Sequence, residues 1–206
     1  PVNSAIIKAK IHTKQYYVYK YFKEFVMILS YQECLDKYGS DYKLKKELSD
    51  GKLFMEEKGL YSTKRNTTEL DLIMKKYPRA VCTGYSAFYY HALTDVIPEH
   101  YYLATIRTDT RIRDTRIKQS YVKEELFRAG IGTLKYNSST IRIYNCERML
   151  IELLRFRSKL PMDYYKEIIR NYRKLSSKMD FNLVEDYALN FRNTSSLMDM
   201  VQREVL

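Results

Sequence analysis

Apolar residues recur at helical spacing near the start of the chain. The spacing predicts a helix over Tyr16–Leu29 with a broad buried face. The apolar positions of this helix are Tyr17, Tyr21, Phe22, Phe25, Met27 and Ile28. A second helix follows, because Ser30 and Glu33 stand at the spacing of a capping box and Gly39 stands where a C-terminal glycine belongs.

The next segment has the pattern of a third helix and a hairpin. Ser40 or Asp41 caps the helix, and Leu44 and Leu48 lie four residues apart on its apolar side. The segments 52–55 and 59–62 then alternate as two short strands around a turn at 56–59. Three helices followed by a two-stranded hairpin predict a winged helix-turn-helix, in which the third helix reads the major groove of DNA.

A polar connector at Thr63–Thr68 predicts a boundary between a DNA-binding domain at 1–66 and a second domain at 69–206. The second domain is predicted to be a mixed α/β domain that ends in a helical bundle, so that the whole chain is α+β. Its predicted strands are 80–83, 101–106, 131–136 and 140–144. Its predicted helices are 69–76, 86–93, about 145–157, 163–175, 182–191 and 195–205.

The charge balance favours a polyanionic partner. The chain has 206 residues, 36 Lys+Arg and 25 Asp+Glu, and a formal net charge of +11. The predicted third helix carries several of these charges on the side opposite its leucines. We predict DNA contacts from Tyr42, Lys43, Lys45 and Lys46 on this helix and from Lys52, Lys58 and Lys64 in and after the hairpin. The alternative is an ordinary solvated helix face.

A second basic cluster lies in the segment 107–118, "RTDTRIRDTRIK". Its basic residues are Arg107, Arg111, Arg113, Arg116 and Lys118. These side chains either extend the DNA path or meet another polyanion such as RNA. The alternative is a solvated loop in which Asp109 and Asp114 pair with neighbouring arginines.

Catalytic and metal-binding patterns are missing from the sequence. The three cysteines are far apart, which favours reduced thiols over a zinc site or a disulfide framework, and the histidines lack metal-ligand spacing. Ser86 lacks the second glycine of a nucleophile elbow. Glu147 is better explained by the dipole of a helix start, and Arg148 by a nearby carboxylate. We therefore expect no enzymatic activity, no cofactor and no metal. With neither a leader nor an apolar run of membrane length, we expect a cytoplasmic protein that does not contact a membrane.

Three segments, in order, resemble the antitoxins of the type IV abortive-infection (AbiE) systems. "SDGKLFMEEKGLYS" is similar to the recognition-helix end and wing of that family. "AVCTGYSAFYYHALTDVIPEHYYLA" is similar to its strand, serine-alanine helix and proline-led strand, and "IRIYNCERMLIELLRFR" to its strand followed by a helix that starts with Glu-Arg. The resemblance covers the chain from about Tyr16 to the C-terminus, with Met149 to Glu152 departing slightly from the common pattern.

The resemblance implies two functions. One is repression of the protein's own operon through inverted repeats in the promoter DNA. The other is neutralisation of a nucleotidyltransferase toxin without a stable complex, in a system that protects against phage. Two alternatives stay open: a winged-helix transcriptional regulator whose second domain senses a ligand or a protein, and an RNA-acting enzyme or RNA-binding factor that uses the basic cluster at 107–118.

Overall fold

A computed structural model describes residues 27–137 and 139–206. The chain divides into two compact units, one ending at Lys76 and the other beginning at Tyr77. Each unit contains a β-sheet and helices, so the fold is α+β as the sequence predicts.

The described part of the N-terminal unit contains three strands and three helices. In chain order they are β1 (Ile28–Ser30), α1 (Tyr31–Tyr38), α2 (Asp41–Ser49), β2 (Phe54–Glu57), β3 (Leu60–Ser62) and α3 (Glu69–Lys76). The strands form an antiparallel sheet with the order β1-β3-β2.

The predicted capping box fixes the start of α1. The Ser30 hydroxyl accepts a hydrogen bond from the Glu33 amide, and the Glu33 carboxylate accepts one from the Ser30 amide over 2.7 Å. Gly39 ends the helix in the left-handed region at φ 84°, and its amide donates to the Leu35 carbonyl. Both ends of α1 therefore follow from local sequence.

The predicted helix at Tyr16–Leu29 is wrong at its C-terminal end, and the rest of it lies outside the described residues. Ile28 and Leu29 belong to strand β1, which pairs with β3 from Ile28 opposite Ser62 to Ser30 opposite Leu60. The Thr63 amide extends the pairing by donating to the Met27 carbonyl. A long-range partner thus overrides the helical spacing of the apolar residues.

Helix α3 packs with the N-terminal unit, although the sequence analysis assigns it to the second domain. Leu70 and Ile73 are buried, and α3 contacts β1. Two ion pairs tie the helix to the same unit, from Lys75 to Glu33 and from Lys76 to Glu57. The division into compact units therefore lies after α3, later in the chain than the polar connector.

The second unit contains a mixed five-stranded sheet with strand order β6-β5-β4-β8-β7. Strand β4 is antiparallel to β5 and parallel to β8, β5 is parallel to β6, and β7 is antiparallel to β8. The strands are β4 (Val81–Cys82), β5 (Tyr101–Ile106), β6 (Ile117–Val122), β7 (Ile131–Tyr136) and β8 (Ser139–Tyr144). The helices are α4 (Gly84–Tyr90), α5 (Glu124–Phe127), α6 (Cys146–Arg155), α7 (Met162–Leu175), α8 (Phe181–Leu189) and α9 (Thr194–Glu204).

Helix α6 is the centre of this unit. Met149, Leu150 and Ile151 on it are fully buried, and the helix contacts α4, α8 and α9. The predicted strands and helices of the second domain are present; the strands 101–106 and 131–136 and the helix 69–76 have the predicted bounds, and the others have shifted ends. Strand β6 and the short helix α5 are additions that the sequence analysis does not predict.

The cysteine side chains are free thiols. Cys34 and Cys82 are buried, and Cys146 is half-buried. Burial raises the pKa of the Cys146 thiol to about 11 and raises that of Cys82 further. No helix within residues 27–137 and 139–206 is both long enough and apolar enough to cross a membrane.

Candidate functional site

Helix α2 presents a basic face opposite its buried leucine. Leu44 is 1% exposed and packs in the core of the N-terminal unit with Leu29, Cys34, Leu53 and Tyr61. The Ser40 hydroxyl caps the helix by accepting from the Lys43 amide. Because the buried side is fixed, the opposite side must face solvent.

The exposed side of α2 holds the residues predicted to contact DNA. Tyr42 is 78% exposed, an unusual position for a tyrosine side chain. Lys43 and Lys46 are exposed as well, and in the described part of the chain neither forms an ion pair. Their ammonium groups therefore stand free to meet an anion.

Two other predicted contacts are ion-paired within the unit. Lys45 lies 2.7 Å from Asp41, and this hydrogen bond lowers the pKa of the Asp41 carboxyl. Lys52 pairs with Asp50 over 3.2 Å and lies 3.9 Å from Glu47. Such exposed pairs are weak and exchange readily, but they reduce the positive charge offered to a partner.

The predicted lysine contacts of the hairpin lie near two glutamates that are engaged with their own unit. Lys58 is exposed in the turn, and Lys64 is exposed after β3. The Glu57 carboxylate is paired with Lys76 over 3.1 Å, and Glu56 accepts a hydrogen bond from the Thr67 hydroxyl. The two carboxylates are therefore engaged with their own unit, which lowers their repulsion of a phosphate.

The basic cluster at 107–118 is an ordered connection between β5 and β6, with Lys118 already on β6, rather than a continuous charged surface. Arg116 binds Asp114 through two nitrogens, at 2.9 and 2.7 Å, and the Asp114 side chain is 8% exposed. Asp109 is paired with Arg79, which lies outside the cluster. Gln119 on β6 fixes the loop by donating to the Thr110 carbonyl and accepting from the Ile112 amide.

The structure thus separates the members of this cluster by their surroundings. Arg107, Arg111, Arg113 and Lys118 are exposed. Arg116 is half-buried and forms an ion pair with Asp114. The solvated-loop alternative expects such a pair for one of the arginines. The exposed members are the ones available to a polyanion.

A second candidate site lies around Arg148 in the second, C-terminal unit. The sequence predicts only a structural role for this arginine. Arg148 is 1% exposed and pairs with Glu152 on the same helix over 2.6 Å, which confirms the expected nearby carboxylate. Glu147 accepts a hydrogen bond from the Asp180 amide. A cavity of about 470 Å³ lies beside Arg148 and is lined by residues of α4, β5, β6, α5, β8 and α6. Its lining residues come from distant segments, so no local signal marks the cavity.

Metal-binding side chains do not cluster within residues 27–137 and 139–206. Ser86 is buried and binds backbone, accepting from the Tyr102 amide and donating to the His100 carbonyl. His91 contacts the Tyr144 carbonyl over 2.6 Å, and burial lowers the pKa of its imidazole. Ser86 and His91 therefore have structural explanations. No protein-family model matches the chain, and no curated protein matches it.

Proposed function

We propose that the N-terminal unit binds double-stranded DNA by placing α2 in the major groove. The observation that carries this proposal is the exposed face of Tyr42, Lys43 and Lys46 on a helix whose other side is fixed in the core through Leu44. Lysines there supply attraction to phosphates, and an exposed tyrosine can reach a base edge or a phosphate.

The arrangement around α2 supports a winged helix-turn-helix. Helices α1 and α2 are joined by the two residues Gly39 and Ser40, and the β2–β3 hairpin follows α2. Strand β1 pairs with β3, which holds the hairpin against the same small sheet. A glycine-containing turn between two packed helices is the usual form of this DNA-binding motif.

We further propose that the chain is the antitoxin of a type IV abortive-infection system. It would repress its own operon through inverted repeats in the promoter and oppose a nucleotidyltransferase toxin without a stable complex. The support is the sequence resemblance of the three quoted segments together with the basic face of α2. On this proposal the protein acts in the cytoplasm and needs no cofactor.

Two experiments test the proposed DNA binding and the proposed antitoxin activity. Electrophoretic mobility measurements with a duplex from the protein's own promoter should give saturable binding that an unrelated duplex of equal length competes poorly. Co-expression from an independent promoter should rescue growth of cells that express a nucleotidyltransferase encoded beside it, the partner that this proposal requires. Absence of promoter binding overturns the first part, and absence of rescue overturns the second.

A second candidate function is favoured by the cavity beside Arg148. A transcriptional regulator that senses a small molecule needs such a pocket in a domain other than its DNA-binding one. On that account the protein binds its operator but gives no rescue of toxin-expressing cells.

A further inference from the structure

The cavity of the C-terminal unit has the size and access of a small-ligand site. Its volume of about 470 Å³ lies within the range of about 300–1,000 Å³ that ligand pockets occupy. Exposed Tyr121, Phe156 and Lys159 are among its lining residues, so the cavity opens to solvent. A ligand can therefore enter without unfolding the unit.

A buried cation with unused hydrogen-bond donors forms part of the wall. The Arg148 guanidinium donates from Nη2 to Glu152, whereas its Nε and Nη1 atoms are buried and have no hydrogen-bond partner within the described residues. Buried donors without partners are costly, and a buried charge more so. Both atoms have almost no accessible surface, so an anion in the cavity would offset the buried charge through electrostatic attraction and not through hydrogen bonds to these atoms.

The charges around Arg148 leave an excess of positive charge. Glu152 accepts from Arg148 over 2.6 Å with one oxygen and from Arg155 over 2.9 Å with the other, so two guanidinium groups share one carboxylate. Lys123 and Lys159 also line the cavity. With four cationic side chains and one carboxylate in its wall, the cavity is selective for anions.

Packing holds the two arginines in place. The Arg148 guanidinium lies 5.5 Å from the ring centre of Tyr144 and 5.4 Å from that of Phe191. Arg155 lies 3.7 Å from the centre of the same Phe191 ring. Gly130 also contacts Arg148 closely, since a Cβ atom there would lie 2.6 Å from the Arg148 Cβ. The cationic wall is thus positioned before any ligand arrives.

The other wall is aromatic and apolar. Tyr85 and Tyr102 line the cavity with their ring centres 5.0 Å apart, Tyr85 also stacks on the Tyr164 ring at 4.9 Å, and Phe88 is a further lining residue. Aromatic side chains bind planar rings through their faces and edges. A ligand that satisfies both walls must carry an aromatic ring and a negative charge.

We propose that this cavity binds a nucleoside 5′-monophosphate, with the phosphate against Arg155 and Lys159, near the buried charge of Arg148, and the base against Tyr85 and Tyr102. The excess of three positive charges suits a phosphate dianion better than a single carboxylate. A nucleotide also provides the planar ring and a sugar to span the space between the walls. The inference does not depend on DNA binding by α2 or on antitoxin activity.

The test uses the full-length protein and isothermal titration calorimetry with adenosine 5′-monophosphate and uridine 5′-monophosphate. At least one of them binds saturably and raises the melting temperature, while the matching nucleoside and inorganic phosphate each bind at least about tenfold more weakly. The double variant Arg155→Gln, Lys159→Gln weakens nucleotide binding by about tenfold or more, as expected for the loss of charged hydrogen bonds.

Two controls separate site chemistry from net charge: a single substitution outside the cavity, and a double substitution that removes two positive charges, as the site variant does. Arg128→Gln removes a cation that is exposed on the end of α5 and paired only with its helix neighbour Glu124 within the described residues, outside the cavity lining. It keeps wild-type nucleotide affinity. The variant Lys43→Ala, Lys46→Ala also keeps it, even where DNA binding is lost. The proposal is overturned if neither nucleotide binds, if phosphate alone binds as tightly, or if Arg155→Gln, Lys159→Gln binds as tightly as Arg128→Gln.

Discussion

Lys75 on α3 donates a hydrogen bond to Glu33 on α1, with 2.6 Å between Nζ and Oε1. The same carboxylate accepts from the Ser30 amide at the start of α1. Glu33 therefore joins the capping box of one helix to the last turn of another that lies far along the chain. This contact assigns α3 to the N-terminal unit.

A first prediction concerns the length of a stable DNA-binding fragment. A fragment of residues 1–66 lacks the buried side chains Leu70 and Ile73 and both lysines that pair with the rest of the unit. We expect residues 1–76 to unfold cooperatively on heating and to bind promoter DNA, and residues 1–66 to have a lower melting temperature and weaker binding. Circular dichroism measures the melting. Equal melting temperatures of the two fragments would show that α3 is not part of the unit.

A second prediction concerns acid stability. Hydrogen bonds from Lys75 and from the Ser30 backbone lower the pKa of the Glu33 carboxyl to about 2, below its ordinary value of 4.5. Because the folded pKa is the lower one, the stabilisation is complete above pH 4.5 and is lost as the pH falls from 4.5 towards 2. Glu33→Gln should lower stability at pH 7 by up to about 1 kcal/mol, since the side chain is half exposed.

The acid-stability measurement is urea unfolding across this pH range. The difference between wild type and Glu33→Gln should shrink as the pH falls. Glu124→Gln is the control, because Glu124 forms an exposed pair with Arg128 one turn along the chain. A Glu33→Gln difference that stays constant down to pH 2 would contradict the assignment.

A third prediction concerns Gly130, which approaches Arg148 at φ 79°. Gly130→Ala adds a Cβ atom 2.6 Å from the Arg148 Cβ in a left-handed backbone conformation. We expect a loss of about 2–5 kcal/mol, the sum of conformational strain and overpacking. Gly84→Ala is the control, because Gly84 has φ 50° but its nearest contacts, to Tyr102, are an ordinary 3.7 Å. Urea unfolding should show a larger loss for Gly130→Ala. Equal losses would mean that Arg148 moves aside without cost.

A fourth prediction concerns the exposed arginines between β5 and β6. Changing Arg107, Arg111 and Arg113 together to Glu replaces attraction with repulsion and leaves the Arg116–Asp114 pair intact. We expect weaker operator binding in mobility measurements and a smaller loss of protection against the toxin. Changing the exposed residues Lys166, Arg170 and Lys178 to Glu alters the net charge equally and serves as the control.

The outcomes for the arginine cluster separate its possible roles. Protection that disappears while operator binding and bending stay unchanged would assign the cluster to the antitoxin activity. If the variant and the control behave alike in both measurements, the segment is a solvated loop.

Local sequence predicts the parts of the fold that are locally determined. Ser30, Glu33 and Gly39 define α1 because capping hydrogen bonds join residues close in sequence. Strand β1 is missed because Met27 to Leu29 continue an apolar helical spacing, and its partner β3 is distant in the chain. Strand β6 is missed because its sequence, IKQSYV, is largely polar, and it is held by pairing with β5.

The candidate sites also contain parts that local sequence predicts and parts that depend on the tertiary structure. The exposed face of α2 is predictable, since Leu44 and its spacing fix which side is buried. The ion pairs of Lys45 and Lys52 depend on rotamers that spacing alone does not specify. The cavity beside Arg148 depends on side chains from α4, β5, β6, α5, β8 and α6, which only the tertiary structure brings together.

On the proposed function, DNA binding depends on Lys43 and Lys46 of α2, which form no ion pair within the described residues. The most direct measurement is the salt dependence of promoter binding by the variant Lys43→Ala, Lys46→Ala, with Lys166→Ala, Lys178→Ala as a control of equal charge change. We predict weaker binding and a log–log slope that flattens by about 0.9 for each lost phosphate contact, with the control close to wild type. Wild-type affinity and slope in a folded Lys43→Ala, Lys46→Ala variant, or an equal change in the control, would contradict the account.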